Sequence, residues 1–199
     1  MKIIRLTSAL LIATCISVSH AAVIHVTDLS GNLLGAKNVS VAGTFYDVAF
    51  LDGTCVALYD RCNEADDFIF NSLEAANMAS QALLDTVFVD SLNQRFDYTP
   101  ELTNGCNSVQ WCFVLTPWAT INIFGGRNSV ITSAAQNKAE EAADVITDIR
   151  PETLYDTADT SIFNYAVWSA ATQVPGPRVS ILLSLGLVGI FWSRKRKKL

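Results

Sequence analysis

The chain has 199 residues, 50% of them apolar, and carries 14 Lys and Arg against 19 Asp and Glu, a formal net charge of −5. Lys2 and Arg5 sit at one extreme and six more cations lie from Arg178 onward, so the body between them keeps six cations against all 19 acids, a net −13. Such a body repels phosphate backbones and anionic membrane surfaces, which excludes nucleic-acid binding, and it attracts divalent cations or basic partners.

Lys2 and Arg5 precede an apolar stretch from Ala9 to Val18 and then small residues, the layout of a secretory signal peptide over residues 1–21. Ser19 and Ala21 take the −3 and −1 positions for cleavage after Ala21. Cys15 invites a lipoprotein reading, but Ile12, Ala13 and Thr14 lack the small residue expected just before a modified cysteine. Residues 22–170 then suit one exported acidic domain with a core of its own.

Within that domain, Val23 to Val26 predicts a first strand and residues 29–32 a turn. The stretch NVSVAGTFYDVAFL, residues 38–51, alternates and is rich in β-branched and aromatic residues, which predicts two strands about Gly43. Asp52 and Gly53 turn the chain toward Cys55. An acidic loop from Asp60 to Asp67 follows and ends at Phe68, Ile69 and Phe70. Asn71 and Glu74 form a capping box ahead of Leu73, Ala76, Ala79, Leu83 and Leu84 at helical spacing, predicting a helix over 72–85. Val109 to Leu115 reads as a strand, Pro117 as a break, and Trp118 to Phe124 as another strand. Gly125 and Gly126 suit a two-residue hairpin turn that pairs Phe124 with Arg127 and sets Ile121 opposite Val130. A second capping box, Asn137 with Glu140, and the stripe Ala139, Ala142, Ala143, Ile146 predict another helix before Pro151. Ile162 to Trp168 is the last strand. The expected fold is α+β: an antiparallel sheet with one or two helices packed on one face, plus a C-terminal transmembrane helix.

Four cysteines remain after the leader: Cys55, Cys62, Cys106 and Cys112. An even number in an exported domain points to disulfides, with three connectivities open. Short separations favour Cys55 with Cys62 and Cys106 with Cys112. Zinc is the competing reading, but the spacings lack tight knuckles and the one body histidine, His25, is distant in sequence.

That histidine count also bears on catalysis, because a Ser-His-Asp or Cys-His apparatus has little to draw on, and no G-x-S-x-G, P-loop or H-E-x-x-H occurs. Paired carboxylates for glycoside hydrolysis cannot be picked out among 19 acids. No enzyme and no required cofactor is expected. The best cation candidate is the loop carrying Asp60, Asn63, Glu64, Asp66 and Asp67, because calcium wants clustered oxygens, although the spacing is not that of an EF-hand. Trp111, Trp118 and Trp168 offer sugar-stacking surface, yet their strand positions favour the core.

The chain ends VPGPRVSILLSLGLVGIFWSRKRKKL. The uncharged run from Val179 to Trp192 spans about 21 Å as a helix, against a bilayer core of about 30 Å. Arg178 and Trp192 flank this marginal span, and Arg194, Lys195, Arg196, Lys197 and Lys198 hold its end on the cytoplasmic side, so the body lies outside. Residues 171–177 form a linker holding Val174, Pro175, Gly176 and Pro177, and residues 178–199 carry the apolar run and basic tail. In this order they resemble the PEP-CTERM sorting signal of Gram-negative bacteria, with Gly176 where a glutamate is usual. The resemblance implies cleavage by signal peptidase, transient anchoring, processing by an exosortase-type membrane protease, and delivery to the cell surface or extracellular matrix. It also implies a link to exopolysaccharide and biofilm, with extracellular polysaccharide as a partner. An ordinary single-pass protein with a retained anchor is the alternative.

Overall fold

Local turn chemistry organises the first third of the body. Strands β2 (Leu33–Val41) and β3 (Thr44–Leu51) meet through Ala42 and Gly43, at φ 49° and 83°. Two successive residues at positive φ twist a two-residue turn in the sense that flanking strands require. In this computed structural model, the structure describes residues 22–90, 94–123, 126–139 and 143–171. The leader 1–21, the motif Val174, Pro175, Gly176, Pro177, the apolar run and the cluster Arg194 to Lys198 lie outside the described residues.

The other strands are β1 (Ile24–Thr27), β4 (Trp111–Ile123), β5 (Arg127–Lys138), β6 (Val145–Ile149) and β7 (Phe163–Ala170). They form one seven-stranded sheet in the order β1-β2-β3-β7-β4-β5-β6. Every pairing is antiparallel except β4 with β7, where Phe113, Val114 and Leu115 lie parallel to Phe163, Asn164 and Tyr165. Two three-strand meanders are thus joined by the C-terminal strand.

Helix α2 (Leu73–Thr86) covers one face of the sheet. Its inner side is small, with Ala76, Ala79, Ser80 and Ala82, so its backbone approaches closely and Ser80 Oγ donates to the Ser133 carbonyl at 3.0 Å. Beneath it Val39, Val48, Phe50, Val114 and Ala166 pack together, and Phe50 stacks on Phe88 with centroids 5.6 Å apart. The one-turn helix α1 (Cys55–Leu58) and the loop after it lie over the other face, where Phe68, Leu115, Val130, Ala134 and Tyr165 form a second core. The helix expected at 72–85 is present, but its cap is Ser72, whose Oγ accepts from Ala75 N, in place of Asn71. Replacing this exposed cap, Ser72→Ala, is expected to cost about 1 kcal/mol in urea or thermal unfolding.

Three expectations are corrected. Pro117 does not end a strand; β4 runs through it with a register shift between Pro117 and Ala119, a bulge that tolerates the missing N–H. The β4–β5 register pairs Ile123 with Arg127, Ile121 with Ser129 and Thr120 with Val130, so the turn spans three residues and not two, with Gly126 at φ 77°. The helix expected from Asn137 does not form among the described residues. Asn137 instead belongs to β5 opposite Cys112, is buried, and donates to the Phe96 carbonyl at 2.7 Å, while Ile146 lies in β6 opposite Ala135. Strand pairing over the whole of β4 outweighs an alanine-rich local preference. No helix among the described residues is long and apolar enough to cross a membrane.

Candidate functional site

Both local disulfides are present, Cys55–Cys62 and Cys106–Cys112, each with Cα atoms 5.7 Å apart. Cys55–Cys62 pins the loop that follows α1. Thr54 caps that turn by accepting from Ala57 N, and Arg61 and Cys62 reverse the chain at φ 66° and 51°. The acidic residues then hold the loop itself together. Asp67 Oδ2 accepts from Asn63 N at 2.8 Å and Glu64 N at 3.2 Å, while the Glu64 side chain accepts from Asp67 N, a reciprocal cap on a short 3₁₀ turn. Thr120 Oγ1 of β4 donates to the Asn63 carbonyl and ties the loop to the sheet.

Between this loop and strands β4 and β7 lies a cleft of about 210 Å³. Tyr59, Phe68, Phe70, Pro117 and Trp168 contribute its walls, and Asp60 and Asp67 its carboxylates. Tyr59 donates to the Ala166 carbonyl at 3.0 Å, and burial, with Tyr165 nearby, pushes its hydroxyl well above the ordinary value. Trp168 is 7% exposed, donates to Thr116 Oγ1 and meets Tyr46 and Phe70 edge to face. Its ring is therefore a wall, as its strand position suggested, and not a stacking platform. The cleft is smaller than the pockets that enclose drug-sized ligands.

Of the five oxygen-bearing loop residues singled out in the sequence, Asp60 and Asp67 line the cleft, whereas Asn63, Glu64 and Asp66 are exposed outside it. Among the described residues no group of three or more His, Cys, Asp or Glu is placed to hold a metal ion. His25 is engaged structurally, with Nε2 donating to the Val87 carbonyl at the end of α2 and the ring against Phe96.

Two features escaped the sequence reading. A groove of about 460 Å³ runs over β1, β2, β3 and β7 on the face away from α2. At the other end of the sheet, Asp144 accepts from Lys138 N, yet burial and the Asp97 carboxylate push it up to about 6 against an outweighed pull from Lys138. Because the folded chain holds this proton more tightly than the unfolded one, stability falls as pH rises from about 3.8 to about 6 and stays lowered above. Asp144→Asn keeps an acceptor for Lys138 N and is expected to remove that slope. Discounted for solvent screening, the gain at pH 7 is on the order of 1 kcal/mol, read from unfolding between pH 3.5 and 7.

No family model, curated protein or solved structure matches this chain.

Proposed function

We propose that this is an exported cell-surface or extracellular-matrix protein with a non-enzymatic structural or interaction role, delivered by a PEP-CTERM-like terminal signal and linked to exopolysaccharide. The observation that supports this reading best is the pair of disulfides, which uses all four body cysteines in buried positions. Structural disulfides persist in oxidising compartments, in keeping with a leader at one end and a cation-fenced apolar run at the other. An acidic surface keeps such a body soluble outside the cell.

Mass spectrometry of the protein recovered from medium and from membranes tests it. The expected mature chain begins after Ala21, and the released form lacks the peptide from Arg194 to Lys198. Retention of that peptide on mature surface protein would mean a permanent tether, and a folded cytosolic pool with free thiols would sink the export reading.

The cleft beside Asp60 supports a second reading, a calcium- or carbohydrate-binding module. It expects millimolar calcium to raise the melting temperature and Asp60→Asn to abolish the rise; an unchanged melting curve removes the calcium form of it.

A further inference from the structure

The sheet face opposite α2 is covered unevenly. Over its β4–β5 end the α1 loop packs on Leu115, Val130 and Ala134. Over β1, β2 and β3 the groove floor of Val26, Leu34, Ala49 and Leu51 is only partly covered among the described residues, and Leu51 is 38% exposed. Sheets with an apolar face bury it against another layer.

The chain carries a segment suited to that face. Strand β7 places Val167 opposite Ala49 and Ser169 opposite Asp47, and then reaches Ala171, whose N–H donates to the Phe45 carbonyl. Seven residues further, past Arg178, the uncharged run Val179 to Trp192 begins. Seven extended residues reach about 23 Å, whereas the groove from Asp47 to Leu51 is about 13 Å along the strand. The linker therefore brings the run over any part of the groove. An uncharged segment suits a floor whose charges, Lys37 and Asp47, lie at one end. A second copy suits it less, because two bodies of net −13 would be pressed together.

We infer that Val179 to Trp192 covers this groove within its own chain while the protein is in water, and leaves it when lipid is offered. The second half of the inference rests on the anchor reading above; the first half does not.

The test uses the full chain with Leu51→benzoylphenylalanine, and separately Val26→benzoylphenylalanine, irradiated in detergent-free buffer and again after addition of phosphatidylethanolamine/phosphatidylglycerol vesicles. Both probes are expected to give adducts to residues 179–192 of the same chain, with a yield unchanged over a hundredfold dilution. The yield should fall at least tenfold when Leu183→Glu and Leu187→Glu are added, and likewise when the chain sediments with vesicles. Adducts between chains, adducts to residues 1–21, or no adduct in buffer overturn the inference. A chain that gives the intramolecular adduct but never sediments with vesicles instead defeats the anchor reading and leaves the groove contact standing.

Discussion

Gly35→Ala is expected to destabilise the body by about 3 kcal/mol or more, combining backbone strain with overpacking. Gly35 sits in β2 at φ 150°, and an added Cβ would stand 2.1 Å from the Val48 carbonyl oxygen and 3.0 Å from Ala49 Cα on the neighbouring strand. Both are backbone atoms, so no side chain can swing aside. Relief requires β2 to part from β3 beside Val39, Val48 and Phe50, which form the floor under α2. Against the 5–15 kcal/mol usual for a domain, that loss leaves little. Gly43→Asn is the control. Gly43 also has positive φ, at 83°, but nothing lies within 4 Å, so the cost should stay below about 1 kcal/mol. Urea unfolding of the two variants separates them, and equal losses would show that the close approach at Gly35 is not what confines that position.

Removing a disulfide is the second large effect. Each bridge closes a short loop, with sequence separations of 7 and 6, and loop-closure entropy of that length amounts to about 2.3 kcal/mol. Cys106 and Cys112 are also buried on the α2 side, and Cys112 pairs with the buried Asn137, so their replacement adds lost packing. The Cys106→Ala, Cys112→Ala double variant is expected to lose about 2–4 kcal/mol and about 10 °C in Tm. The Cys55→Ala, Cys62→Ala variant loosens the cleft loop as well, and its loss should show first as exchange of the Asn63 and Glu64 amides held by Asp67. A melting curve indifferent to reductant would mean that neither bridge forms, and with it would go the main physical support for an extracellular destination.

What the sequence makes legible follows from distance along the chain. The β2–β3 hairpin could be read because alternation and the Ala42–Gly43 turn are adjacent, and α2 because its apolar period runs unbroken from Leu73 to Leu84. The cysteine pairing was legible for the same reason. The capping-box reading of Asn137 misled because Asn137 and Lys138 are placed by pairing with Cys112 and Trp111, partners about 25 residues away. The cleft was invisible as a unit, since Tyr59, Pro117 and Trp168 come from three separate segments. So was the raised carboxyl of Asp144, which depends on burial and on Asp97 across a loop. The groove left only a faint trace, the half-polar alternation Asp47, Ala49, Leu51.

The position of β7 has a consequence for timing. A strand that occupies the middle of the sheet, Phe163–Ala170, is the last part of the body to leave the ribosome. Until it arrives, each three-stranded half exposes an edge and has no neighbour across the seam. Closure then depends on contacts between residues more than a hundred positions apart, such as Phe50 with Ala166, which is slow zipping. A polypeptide wired in this way stays open until its end is almost free, and only then does it lock.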